Sequence, residues 1–217
     1  MPKELINLAR ERIYNMNIDI NDIKNKMKNN KPYINGWERM KRSSIIIPLV
    51  EVNNETCILF EVRAKKLSSQ PGDICFPGGK IDDNETPKEA ALREIYEELG
   101  IENVDIINEL DIVIRYDGII IHPYLGVIKD IKEININESE VDHVFYIPIS
   151  YLLNHNPLEV NSKINIQRPE EFPYDLIVNK ENYKFREGNY RSLFYNYENY
   201  NIWGITAEML RNFLEKL

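Results

Sequence analysis

The 217-residue chain carries 27 Lys and Arg against 35 Asp and Glu, a net charge of -8, with 43% hydrophobic and 29% charged residues. This is the balance of one globular domain with a sizeable core and an added arm. An acidic surface repels polyphosphate backbones, which argues against nucleic-acid partners and means that an anionic substrate must be met by local cations or bound metal.

Taken in chain order, Met1-Pro2-Lys3-Glu4-Leu5 opens without the apolar run of a signal peptide, and no later segment resembles a membrane span. The expectation is a cytoplasmic protein without a membrane partner. Residues 1–30 read as polar helix, with Leu5, Leu8, Ala9 and Ile13 at helical spacing. Lys24, Lys26, Lys28 and Lys31 then lead into Pro32, a pattern typical of a solvated face or linker. The division expected is an N-terminal helical arm over 1–42 and a main domain over 43–217.

Strand-like runs at 43–52 and 56–63 are split by Asn53-Asn54, which suits a hairpin turn. A short strand, Ile74-Cys75-Phe76, stops at the breaker Pro77-Gly78-Gly79. Cys57 and Cys75 are too few for a disulfide scaffold and match no zinc motif, so they read as free core thiols. A helix is predicted over Pro87–Leu99: Thr86 is a good N-cap, Glu89 completes a capping box, and Gly100 can end the helix left-handed. Strand-like stretches follow at 104–115, 119–128 and 144–147, with a helical turn at 148–153. Residues 154–190 carry no assignment, and 193–197 reads as strand. Thr206 is expected to cap a last amphipathic helix burying Leu210, Phe213, Leu214 and Leu217. Strands set between helices predict an α+β fold with a mixed sheet between helical layers.

On the middle helix, at about 100° per residue, Ala91, Leu92, Ile95 and Leu99 fill the core-facing arc. Glu94, Glu97 and Glu98 fill the adjoining arc, and most such charge runs are solvated faces. Two details count against that reading. Glu94 and Glu98 repel at i and i+4, and the carboxylates follow a Pro-Gly-Gly turn able to bring backbone carbonyls near them. Hard cations such as Mg²⁺ take oxygen ligands of this kind.

Gly79, five residues, Glu85, seven residues, then Arg93-Glu94-Ile95-Tyr96-Glu97-Glu98-Leu99-Gly100-Ile101 matches every fixed position of the Nudix box over 23 residues. The chain therefore resembles the Nudix hydrolases. The resemblance implies the Nudix fold, an α/β/α sandwich, and Mg²⁺ or Mn²⁺ bound by Glu94, Glu97 and Glu98 with the Gly78 carbonyl. It implies that Arg93 orients the glutamates, that Glu85 is structural, and that water attacks a phosphorus of a nucleoside diphosphate derivative. The catalytic base would come from the box (Glu97 or Glu98) or from a later loop, where Glu140 stands after the polar run 135–139.

The segment before the box is similar to the coenzyme A pyrophosphatase branch, with Arg63, Leu67, Gly72 and Phe76 at matching spacing. Ser68 and Gln70 stand where that branch usually has Arg and His. Ile147-Pro148-Ile149 and Ile202-Trp203-Gly204-Ile205-Thr206-Ala207 also agree with it. The implied substrate is coenzyme A or acyl-CoA, with Arg63 and Lys80 as candidate phosphate-binding cations. The alternatives are ADP-ribose, a nucleotide sugar or a nucleoside triphosphate, or a sensor domain that binds nucleotide without cleaving it. A sensor is free to lose a box carboxylate, and none is missing. Self-association as a homodimer is left open.

Overall fold

The computed structural model describes residues 19–217. Leu5, Leu8, Ala9 and Ile13, assigned to the N-terminal helix, lie outside the described residues. Asp19 caps helix α1 (Ile20–Met27), its side chain accepting from the Asn21 and Asp22 amides. Met40–Leu217 form a compact unit of their own.

In that unit β1 (Lys41–Val52) and β2 (Glu55–Arg63) make a hairpin. Asn53 and Asn54 both have positive φ, 51° and 62°, as a two-residue turn matching strand twist requires. The two strands pair only from Val52↔Glu55 to Leu49↔Ile58. Beyond that they part, and the chain that follows fills the split. β3 (Ile74–Cys75) pairs with β2 at Val62 and Glu61, and β4 (Gly78–Lys80) pairs with β1 at Ile45 to Ser43. The Pro77 carbonyl between them accepts from the Ile46 amide at 2.9 Å. The Pro-Gly-Gly breaker thus becomes a short strand, because glycine permits the approach: a Cβ on Gly78 would stand 2.3 Å from the Ser44 carbonyl oxygen.

The sheet is completed by β5 (Val104–Glu109), β6 (Val113–Ile114), β7 (Ile119–Ile128) and β8 (Val141–Pro148). β7 runs parallel to β1, and the other pairings are antiparallel, so the eight-stranded sheet is mixed. The stretch expected as one strand over 104–115 is two. Opposite the break stands Pro123 of β7, which has no amide to donate to the ladder; its carbonyl accepts from Leu110 at 2.8 Å.

Helix α2 (Pro87–Leu99) has the predicted bounds, with the Thr86 capping box formed and Gly100 at φ 70°. It packs Ala91, Ile95 and Leu99 with Ile46, Cys57 and Leu59 of the sheet. Ile95 and Leu99 are fully buried, each stabilising the fold by roughly 1.5–3 kcal/mol. The opposite face carries Ile45, Ile47, Ile58, Phe60 and Val62 into a second core with Ala207, Leu210, Phe213 and Leu214 of α4 (Gly204–Leu214). Adjacent strand residues therefore feed different cores, and the result is an α/β/α sandwich.

Two expectations at the C-terminus are corrected. Thr206 does not cap α4, which begins at Gly204; its buried hydroxyl donates to the Ile74 carbonyl at 3.0 Å, tying the helix to β3. Leu217 lies past the helix end and is 68% exposed. The helical turn expected at 148–153 is α3 (Ile149–Asn154). The unassigned region holds β9 (Leu158–Ile164), which joins β10 (Gly188–Tyr197) and β11 (Tyr200–Trp203) in a separate three-stranded sheet. β9 is exposed along nearly its whole length, and its alternation of Leu158, Val160 and Ile164 with polar residues is interrupted at Ser162. Among the described residues, no helix is long and apolar enough to cross a membrane.

Candidate active site

The carboxylate face of α2 meets the split between β1 and β2, where β4 runs against it. The Gly78 amide donates to Glu98 Oε2 at 2.9 Å. A Cβ on Gly79 would stand 2.5 Å from the Glu94 carboxyl carbon, so the glycine is required for the backbone to lie on that carboxylate. The two glycines thus touch two of the three helix glutamates.

Arg93 organises the third. Its Nε and Nη2 hold Glu85 at 2.8 and 3.1 Å, Nη1 holds Glu94 at 2.8 Å and Glu97 at 2.9 Å, and Nη2 also donates to the Lys80 carbonyl at 3.0 Å. The whole guanidinium fork is engaged, which fixes the carboxylates' directions. Glu85 accepts additionally from the Asp82 amide, and the Arg93 hydrogen bonds hold its carboxyl below the usual range.

The three glutamates are not a solvated face. Glu98 is only 3% exposed, and Glu94 is half-buried, while Glu97 is open to solvent. Burial, then the charge of Glu61, pushes Glu98 up to about 9, with further contributions from Glu94 and Glu140. Burial likewise raises Glu94. Glu140, at the foot of β8, is therefore part of the cluster. Its carbonyl accepts from the Ala64 amide at 2.8 Å and its side chain takes a long contact from Asn137 at 3.4 Å.

Glu61 was missed in the sequence reading. It sits in β2, is 1% exposed, and burial pushes it up to about 7. One oxygen accepts from the Cys75 thiol at 3.1 Å; the other, Oε2, is buried with no hydrogen-bond partner among the described residues. The available signal was a lone Glu inside the apolar run Cys57-Ile58-Leu59-Phe60-Glu61-Val62. Both cysteines are free, Cys57 buried and Cys75 partly so.

The donor set suits a hard divalent cation. Oε2 of Glu61 is orphaned, and the second oxygens of Glu94, Glu97 and Glu98 accept from no donor among the described residues. Buried carboxylates without a compensating cation are costly. Among the described residues no three acidic, His or Cys side chains stand in a finished metal-holding array, so ligation requires carboxylates to rotate from these positions. Gly78 meets the cluster through its amide.

Of the substrate candidates, Arg63 ends β2 and borders a cavity of about 290 Å³ with Gln70, Asp73, Arg115, Tyr116 and Trp203. Its Nη2 donates weakly to the Ser69 carbonyl at 3.5 Å, and its buried Nε has no partner among the described residues. Cys75 lines the same cavity and bonds Glu61, so cavity and carboxylate cluster adjoin. Lys80 is not brought in: its ammonium is exposed and paired with Asp82 at 3.5 Å.

A mixed sheet between helical layers, with a glutamate helix set against a Gly-Gly strand, defines the class, and the NUDIX domain family matches residues 40–188: the chain belongs to that family. Nudix hydrolase 3 of Caenorhabditis elegans is 40% identical over 116 residues, covering 51% of this chain and 48% of that protein. Peroxisomal coenzyme A diphosphatase NUDT7 of Mus musculus is 33% identical over 114 residues, again 51% of this chain and 48% of that protein. The chain thus spans about half the length of these two relatives. The uncharacterized Nudix hydrolase NudL of Citrobacter koseri is 27% identical over 205 residues, covering 91% of this chain and 94% of that protein. A MutT/nudix family protein from Enterococcus faecalis is similar in structure, with TM-score 0.48, 14% identity and coverage of 94% of this chain and 71% of that one.

Proposed function

We propose that the chain is a divalent-metal-dependent pyrophosphohydrolase that cleaves the diphosphate of coenzyme A or acyl-CoA. The products would be adenosine 3′,5′-bisphosphate and (acyl-)4′-phosphopantetheine. The observation that supports the hydrolase reading is the group of Glu61, Glu94, Glu98 and Glu140, of which Glu61 and Glu98 are buried and Glu61 leaves one oxygen without a hydrogen-bond donor among the described residues. In this reading Glu94, Glu97 and Glu98 hold Mg²⁺ or Mn²⁺ with the Gly78 carbonyl. A bound ion of this kind supplies charge neutralisation on the phosphate oxygens and lowers the pKa of water. Arg93 acts as a positioning residue. Glu140 is the candidate base, since it stands at the cluster without belonging to the helix. Glu97 and Glu98 are the alternatives within the box.

The substrate reading rests on Arg63. Its side chain borders the cavity next to the cluster, with Tyr116 and Trp203 on the cavity wall. The likeness to the mouse coenzyme A diphosphatase over half its length supports the same substrate. ADP-ribose, a nucleotide sugar or a nucleoside triphosphate is the alternative.

Incubation of the protein with Mg²⁺ or Mn²⁺ and a panel of diphosphates, with products identified by mass, tests both readings. Coenzyme A is expected to be the preferred member. Arg63→Ala should reduce its kcat/KM about ten- to hundredfold, the equivalent of roughly 1.5–3 kcal/mol for a hydrogen bond to a charged group. A diphosphate without the 3′-phosphate and pantetheine arm should lose less. Preference for ADP-ribose or a triphosphate in the wild type overturns the substrate reading and leaves the hydrolase reading standing. No turnover of any member overturns both.

A further inference from the structure

β2 alternates between the two cores. Cys57 and Leu59 pack with Ala91, Ile95 and Leu99 of α2, whereas Ile58, Phe60 and Val62 pack on the opposite side. By this parity Glu61 emerges on the α2 side, one step along the strand from Leu59. Its cross-strand partner Val144 also packs on the α2-side core. The strand break after Val62 comes beyond Glu61, so the parity holds up to it.

At this place a carboxylate is almost fully buried with no cation hydrogen-bonded to it among the described residues. Among the described residues the one hydrogen bond it accepts is from a thiol, a weak donor, and Oε2 has none. The charge of the nearby Arg63 favours the ionised form of Glu61, but its guanidinium makes its hydrogen bond to the Ser69 carbonyl and none to the carboxylate. Glu94, Glu98 and Glu140 all act electrostatically on Glu61 or are acted on by it. A residue serving only as a strand-core filler would be apolar here, as its neighbours are.

We propose that Glu61 is a further ligand of the divalent cation held by the α2 glutamates, supplied from the sheet across the site from the helix. This rests on the metal-dependent reading of the box. Glu98 and Glu61 would then approach the ion from opposite walls, and the orphaned Oε2 would find its partner in the ion. Oxygen ligands from two rigid elements constrain an ion more tightly than ligands from one helix.

The test is Mn²⁺ binding without substrate, followed by the paramagnetic resonance signal of free Mn²⁺ and by calorimetry, for wild type, Glu61→Gln, Glu61→Asp and Glu98→Gln. Thermal melts with EDTA establish folding. Glu61→Gln is expected to fold and to bind Mn²⁺ at least tenfold more weakly. Glu61→Asp keeps the charge but withdraws the carboxylate by one methylene, and is expected to fall between Gln and wild type. An unchanged isotherm for Glu61→Gln, with Glu98→Gln weakened, overturns the role of Glu61 alone. Wild-type affinity in Glu61→Asp overturns it as well, by showing that only the charge matters, and decides the matter should Glu61→Gln not fold. Absence of Mn²⁺ binding by the wild type overturns this inference together with the metal-dependent reading beneath it.

Discussion

Glu98→Gln is expected to lower kcat by a factor on the order of 10³ while leaving the protein folded, because in the proposed reading this carboxylate holds the ion that would neutralise transition-state charge. Its effect on stability should reverse sign with metal. Without divalent ions Glu98 is a buried acid pressed by Glu61, Glu94 and Glu140, and it accepts the Gly78 amide, a bond that the Gln carbonyl can also accept. At neutral pH the wild type must take up a proton on Glu98 to fold, a cost that the uncharged Gln does not carry, so the variant should be as stable as wild type or more so. With excess Mg²⁺ the wild type gains RT ln(1 + [L]/Kd), about 2.7 kcal/mol at a hundred times Kd, and the variant gains less.

The pH dependence of the metal-free protein follows from the same group. Glu98 is raised from 4.5 to about 9, so between these values the folded state holds a proton that the unfolded state has released. The stabilisation is complete below pH 4.5 and is lost as pH rises through about 9. Melts in EDTA should show Tm falling across this window, less steeply in Glu98→Gln. Wild-type activity of Glu98→Gln, or an unchanged metal-induced shift, would overturn the proposed metal-holding role of Glu98.

Gly79→Ala is expected to cost activity without costing the fold. The added Cβ would meet Glu94 Cδ and Oε1 at 2.5 Å, the end of a side chain that can swing, and no backbone atom is among its three nearest contacts. Gly79 also has no positive φ, so alanine brings no backbone strain. The change in Tm should be small. The Glu94 carboxylate must move by about an ångström and break its 2.8 Å bond with Arg93, and a displacement of that size at a reacting centre costs about 10²-fold. Wild-type kcat at an unchanged Tm would show that Glu94's position is not critical. By contrast, Gly78→Ala meets backbone at 2.3 Å, which cannot swing aside, and is expected to destabilise the fold itself.

Local physics wrote much of the site into the sequence. Thr86, Pro87, Glu89 and Gly100 define α2 by capping and by glycine's access to positive φ, interactions that close within a few residues. Helical periodicity then puts Ile95 and Leu99 in the core and the glutamates beside them. Asn53-Asn54 defines the first hairpin for the same reason. The short breaker strand β4 and the division of 104–115 were not legible, since each depends on a partner distant in sequence: Ser43–Ile45 for one and Pro123 for the other. Of the small sheet, part of β10 was legible at 193–197, whereas β9, exposed along its length and with its short alternation of Leu158, Val160 and Ile164 interrupted at Ser162, was not.

What the sequence determined by itself is the family, the helix and the identity of its glutamates, for these rest on spacing along one element. Which of those glutamates is buried, that Lys80 turns to solvent, and that Glu61 and Glu140 join the group were decided only by tertiary structure. Burial and charge coupling are set by what packs across the split between β1 and β2, and a linear pattern carries no record of the far side.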